Sequence, residues 1–172
     1  KAQVVEACLS QPAAKTAAEL VICVARTDTW RDNSQKILDV FAKAENVPAP
    51  VIDYYKRLVP LSINIGFLGL FGLLKKLIVS VIGLKKPVPR EHTNKCDNIV
   101  WAQKSTALAC QNLMLAFRAA GYDSCPMEGF DSSRLKKIIN LPSGAHPCMV
   151  ISAGKRAKGG IYGERMRLDR DM

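Results

Sequence analysis

Acidic residues are scarce in this 172-residue chain: 15 Asp and Glu stand against 25 Lys and Arg, leaving a formal charge of +10. That imbalance favours an anionic ligand, a nucleic acid or an acidic membrane surface, without choosing among them. Histidine is scarcer still. His92 and His146 are isolated, and neither belongs to a Cys, Asp or Glu set at metal-ligand spacing, so no metal site is expected. No Ser-His-Asp or Cys-His constellation can be argued from residue order. No Gly-x-Gly-x-x-Gly follows a strand pattern, which excludes a dinucleotide-binding Rossmann unit. The six cysteines (Cys8, Cys23, Cys96, Cys110, Cys125 and Cys148) include no CxxC pair. Four lie inside apolar patterns, which reads as reduced, buried thiols in a cytoplasmic protein and not as a disulfide frame. No leader pattern, internal repeat or low-complexity tract stands out.

What is present is an ordinary globular balance, 48% apolar and 23% charged, with length enough for one domain over 1–172 with its own core. The chain opens mid-pattern at Lys1 and stops at Met172 as a new segment begins, so both ends are expected to be cut. Residues 1–18 read as a helix end and a loop punctuated by Pro12. Leu20 to Ala25 suits a strand buried on both faces, and Cys148 to Ala153 is the second such run. Asp32 or Asn33 predicts a helix cap for 34–44, and a short helix starts near Pro50. Leu58 to Leu84 is the least globular stretch. Three readings stand for it: a buried or lid-forming helix pair, a helix lying on a membrane surface beside Lys75, Lys76, Lys85 and Lys86, or a transmembrane span weakened by Pro60 and split by the lysines. Helices alternating with strands at irregular spacing predict an α+β fold.

The strongest pattern runs from Trp101 to Asp131. A helix of good formers carries one stripe through Val100, Lys104, Ala107, Cys110, Met114 and Phe117, and another through Trp101, Leu108, Asn112, Leu115 and Ala119. Two stripes predict burial on more than one side. Gly121 stops the helix in a left-handed turn. A short strand, Ser124 to Met127, then leads to Asp131, the expected cap of a helix over 132–140.

With Trp101 at the helix start, Gln111-Asn112 in the middle and Pro126-Met127-Glu128-Gly129-Phe130-Asp131 after the turn, this stretch resembles the FMN-dependent nitroreductase family. Gly159 to Arg167 carries the second-strongest likeness. The resemblance implies a central, mostly antiparallel sheet flanked by helices in an intertwined homodimer, with FMN at the seam. It implies NAD(P)H as co-substrate and a small-molecule electron acceptor such as a nitroaromatic or quinone. It implies a variable insertion over 57–95 that often covers the flavin. The family's upstream Arg-Ser-X-Arg and Asn-X-Gln-Pro-Trp motifs are not in these residues, so an N-terminal segment is expected to be missing.

The resemblance also implies the site. Pro126, Met127, Glu128 and Gly129 run under the flavin ring, with the Glu128 and Gly129 amides donating to its N5 and O4. Fixed backbone dipoles there stabilise the added electron density, and Gly129 permits close approach. The plain alternative is an ordinary strand-to-loop turn. Arg165 and Arg167, two apart in an extended segment, share one face, and the resemblance gives them the FMN phosphate. The alternative is a solvated basic tail. Lys104 and Ser105 fall near the implied seam, or serve surface packing, and Trp101 is expected in the core. Lys155-Arg156-Ala157-Lys158 has Tyr162 as its sole aromatic neighbour, so no nucleic-acid partner is expected. Two competing functions remain: a non-enzymatic basic module on acidic membranes, and a cofactor-free remnant of the fold.

Overall fold

A computed structural model of the chain describes residues 1–161, 163, 164 and 166–169. Among the described residues three strands form one antiparallel sheet: β1 (Glu19–Arg26), β2 (Asp123–Met127) and β3 (Ala145–Gly154), in the order β1-β3-β2. The helices are α1 (Ala2–Ala7), α2 (Pro12–Thr16), α3 (Trp30–Phe41), α4 (Ala49–Asp53), α5 (Val59–Ile63), α6 (Leu70–Ile82), α7 (Lys95–Ala119) and α8 (Ser132–Ile138). The predicted α+β arrangement, with an antiparallel sheet between helices, is observed.

The central strand explains the rest. Successive side chains of a strand point to opposite faces, so a strand covered on both sides must be apolar throughout. Val150 packs with Val4, Ala7, Cys8, Ala14, Met127 and Leu135, under α1, α2 and α8. Met149 and Ile151 pack with Cys110, Leu113, Met114 and Phe117 of α7 on the other face. Both Val150 and Ile151 are fully buried. β1 differs from expectation. It is an edge strand, and most of its side chains are only half-buried, because only β3 has a strand on each side. Its register with β3 slips between Cys23 and Val24, so Cys148 is the extra, bulged residue.

α7 starts earlier than its apolar pattern. Asn94 and Asp97 form a reciprocal capping box, which satisfies amides at a helix start that have no partner inside the helix. It ends as predicted. Gly121 has φ +81°, its N–H reaches the Arg118 carbonyl and that of Tyr122 the Phe117 carbonyl, the two bonds of a Schellman stop. Burial on two sides is not observed. The Cys110–Met114–Phe117 stripe meets the sheet, whereas Trp101, Leu108 and Leu115 are 47%, 71% and 58% exposed. Trp101 is therefore a surface residue, edge-on to His92 at 5.5 Å. α3 also begins early, at Trp30 behind Thr29, with Asp32 lying in its first turn instead of capping it.

The segment 49–82 is two helical arms. Pro60 cannot donate to the Lys56 carbonyl four residues back, and Tyr54–Leu58 between α4 and α5 winds as a π-helical turn. Gly66 and Gly69, both at positive φ, then turn the chain; a side chain at Gly66 would press on Phe71 Cβ at 2.7 Å. No single described helix is long and apolar enough to cross a membrane. Ala49–Ile63 and Phe67–Ile82 would be only as a pair, and they are bent by 73°.

One lysine holds the arms together. Lys75 Nζ donates to the carbonyls of Leu61 (3.3 Å), Ser62 (2.5 Å) and His92 (2.6 Å). It thereby caps α5, whose last carbonyls lack partners within the helix. Asn98 completes the joint by donating to the Ile63 carbonyl at 2.9 Å while its own oxygen meets His92 Nδ1 at 2.7 Å. Burial lowers the pKa of Lys75, and Asp97 opposes that shift. Lys75→Met leaves these carbonyls unpaired, at a cost of about 1–3 kcal/mol. The expected result is a lower Tm and faster amide exchange across Val59–Ile63. Lys76→Met, at an exposed position, serves as the unchanged control.

Candidate functional site

The end of β2 is built around a proline. Pro126 has no N–H, so it must occupy a position whose nitrogen points away from β3. Pairs Cys125–Ser152 and Met127–Val150 then carry the ladder bonds, and the same alternation turns the Glu128 N–H outward. β2 is an edge strand, so outward is open. Met127 is 3% exposed and anchors the segment in the core. Beyond it the chain bends. Phe130 N–H donates to the Glu128 carbonyl (3.0 Å) and Asp131 N–H to the Ala7 carbonyl (2.8 Å), while Gln11 Nε2 donates to the Gly129 carbonyl (2.6 Å). The Asp131 side chain caps α8 as expected.

The carbonyls of this bend are thus occupied, and the amides are not. Among the described residues no acceptor takes the N–H of Glu128 or of Gly129. Both residues are exposed. Among the described residues nothing requires glycine at 129, since an added Cβ would meet Gln11 Nε2 alone of them, at 3.3 Å. The missing side chain leaves space on the open side. Two consecutive donors on a rigid, bare backbone suit a flat ligand edge that presents acceptors, and the FMN ring is such an edge. The donor set therefore fits the group that the sequence implies.

The second half of the expected site is not joined to the first. Arg165 lies outside the described residues. Arg167 is exposed and its guanidinium donates to the Met166 carbonyl at 3.0 Å. No hydrogen bond or ion pair among the described residues links Arg167 to residues 126–129. Arg156, in the basic run before it, is tied to Asp123 at 2.5 and 3.1 Å. Lys104 and Ser105 are exposed on α7.

Two open clefts lie elsewhere. One, of about 650 Å³, separates α3 from the 52–60 arm, with Trp30, Ser34, Phe41 and Tyr55 among its walls. The other, of about 630 Å³, lies between the loop at Asp28, the turn at Gly66 and the α7 start at Lys95 and Asn98. Neither is lined by residues 126–129 or by Arg167.

Under α7 the thiols of Cys23, Cys110 and Cys148 meet, from β1, α7 and β3. Burial first, then Cys23, pushes Cys110 up to about 11. Burial, then Cys110 and the nearby Glu128 carboxylate, raises Cys148. A nucleophile needs the thiolate, so this cluster is inert packing. All six cysteines are free, but only Cys8 and Cys110 are fully buried, and Cys96 and Cys125 are exposed. Sequence reasoning missed Gln11, which pins Gly129 from 118 residues away. No local signal marks such a contact.

The nitroreductase family model matches residues 1–155. Protein DrgA of Synechocystis is 46% identical over 57 residues, which are 33% of this chain and 27% of that protein. NADH dehydrogenase of Thermus thermophilus is 34% identical over 70 residues, 41% of this chain and 34% of that protein. The matched stretches thus span about a third or less of these relatives. A structure from Exiguobacterium sibiricum solved in complex with FMN superposes on 96% of this chain and 65% of that one, with a TM-score of 0.62 at 20% identity. At that identity the likeness establishes the fold, which is that of the nitroreductases.

Two predictions follow from the titratable groups. At pH 8 a thiol reagent should label Cys96 and Cys125 rapidly, and Cys8, Cys110 and Cys148 only on unfolding, read by mass spectrometry of the modified peptides. His146 Nε2 is buried with no partner among the described residues. Burial first, then Lys136 and Lys95, lowers its pKa from the usual 6.5, and Asp28 opposes them. The unfolded chain therefore binds that proton more tightly. The contribution of His146 to stability is whole above pH 6.5 and declines as the pH falls below it. His146→Gln should flatten this limb in denaturant titrations between pH 8 and 5.

Proposed function

This chain belongs to the nitroreductase family, and from that premise we propose that it serves an FMN-dependent oxidoreductase activity that takes electrons from NAD(P)H. The acceptor is a small molecule of the nitroaromatic or quinone class. The observation that carries this reading is the pair of free amides on Glu128 and Gly129 at the open edge of β2. Bound FMN supplies the redox chemistry. The chain supplies placement and electrostatics. The Glu128 and Gly129 N–H dipoles are fixed before any ligand arrives, because Met127 is locked in the core and the carbonyls of Glu128 and Gly129 are already engaged. They stabilise negative charge on an acceptor edge without reorganising. Pro126 keeps the neighbouring edge position free of a competing donor. Arg167, with Arg165 beside it in sequence, binds the phosphate, a task suited to a planar, permanently charged, bidentate group.

A second copy of the chain completes the site. The exposed α7 stripe of Trp101, Leu108 and Leu115 is the apolar surface that the partner covers. The names of the relatives support the chemistry: one is an NADH dehydrogenase, and one structural neighbour holds FMN.

Flavin titration of the purified protein, followed by fluorescence quenching, tests this. Binding is expected for the parent chain. Arg167→Ala should weaken it about tenfold or more, the loss of one charge-assisted contact worth about 1.5–3 kcal/mol. Gly129→Val should weaken it by blocking the ring's approach while leaving Tm near the parent value. Flavin affinity unchanged in both variants overturns the assignment.

A further inference from the structure

The apolar face of α6 is turned outward. Leu70, Leu73, Leu74, Leu77, Ile78 and Val81 are between 47% and 66% exposed, and Leu84, just past the helix, is 84% exposed. Phe67 and Leu68 in the preceding turn are 83% and 84% exposed. Their spacing is that of the buried stripe of an ordinary amphipathic helix. At 100° per residue the six helical positions fall within an arc of about 140°. The opposite face is the one that packs. Gly72 is buried against the backbone near Thr93, and Lys75 is turned to the carbonyls of Ser62 and His92. The helix is therefore fixed to the body by its small and polar side, with its aliphatic side free. A contiguous apolar surface of this kind marks an interaction site.

The charge around it identifies the partner. Between Asp53 and Glu91 the chain contains no carboxylate. It contains Lys56, Arg57, Lys75, Lys76, Lys85, Lys86 and Arg90, seven of the 25 Lys and Arg with no anion among them. All but Lys75 are exposed. A second copy docked on the same stripe would set this cationic fringe against itself, which like charges disfavour. An anionic surface gains from the exposed ones that have no carboxylate partner among the described residues: Lys56, Lys76, Lys85, Lys86 and Arg90. At 13 residues α6 is about 20 Å long, too short to cross a hydrocarbon core of about 30 Å, so it lies in the plane.

We propose that α6 and the turn before it form an in-plane anchor for anionic lipid bilayers, with the Leu70–Val81 stripe among the acyl chains and Lys76, Lys85 and Lys86 at the headgroup phosphates. The amphipathic pattern and cationic rim are those of interfacial helices. The proposal does not depend on the flavin site.

Flotation of the full chain with vesicles tests it. With phosphatidylcholine vesicles containing about one-third phosphatidylglycerol, the protein should float at low salt and be released by high salt, since each basic group near such a surface adds attraction that salt screens. Pure phosphatidylcholine vesicles should retain little of it. Leu73→Asp/Leu77→Asp should abolish flotation with unchanged circular dichroism, because both positions are exposed. Lys85→Glu/Lys86→Glu should weaken binding to the anionic vesicles by about tenfold or more. No flotation of the parent chain on anionic vesicles at low salt overturns the proposal, as does equal flotation on neutral ones. So does an unaffected leucine double variant, or a self-associated state that the variant dissolves while no vesicle binding occurs.

Discussion

The constraint on which the fold rests is that β3 must be dry on both faces. Val150 and Ile151, neighbours in sequence, point to opposite clusters and are both fully buried. A strand in that position needs a partner along each edge and a helical layer above and below. β1 and β2 supply the edges. α7 supplies one layer, and α1, α2 and α8 the other. Burying these aliphatic side chains contributes about 1.5–3 kcal/mol each, far more than the surface ion pairs. The sheet order places both other strands at edges, and the candidate site is the end of one of them.

That placement links packing to chemistry. Pro126 can pair with Ile151 only at a position whose nitrogen faces away from β3. Met127 must enter the core, and the chain then leaves the sheet with the Glu128 amide turned out and the Gly129 amide unpaired among the described residues. The free donor at Glu128 is thus a consequence of strand register, and that at Gly129 belongs to the bend after the strand ends. Gln11 and Ala7, from the opposite end of the chain, occupy the competing groups. The same core that stabilises β3 therefore presets the dipoles of the candidate site.

Much of this was legible from residue order. The second apolar run, the short strand before Met127, the Asp131 cap and the Gly121 stop are local features, and each occurs where its residues dictate. Features that depend on distant partners were not legible. The start of α7 is set by Asn94 and Asp97, ahead of its apolar pattern. Lys75 reads as a charge that interrupts an apolar run, yet it turns inward because α5 ends in carbonyls that need a donor. Periodicity also says that a stripe is apolar without saying what covers it, so Trp101 and Leu108 are at the surface where burial was expected. Within the site, the segment 126–129 was readable as a motif, whereas its anchoring by Gln11 was not. Arg167 gives no contact that joins it to that segment, and Arg165 lies outside the described residues.

The two uncovered apolar faces are not equivalent, and charge separates them. The outer stripe of α7 passes through Leu108 and Leu115 in a stretch without a charged residue between Lys104 and Arg118. A neutral stripe can meet its own copy across a two-fold axis at no electrostatic cost. The stripe of α6 sits in a stretch with seven cations and no anion, where self-pairing is penalised and an anionic surface is favoured. Rigidity adds to the distinction. α7 lies along the sheet, so a partner there would share the core, while α6 is held mainly by the Lys75 joint and its neighbours, to one side of the body. One face is thus suited by charge to meeting its own copy, and the other to meeting something larger and negatively charged.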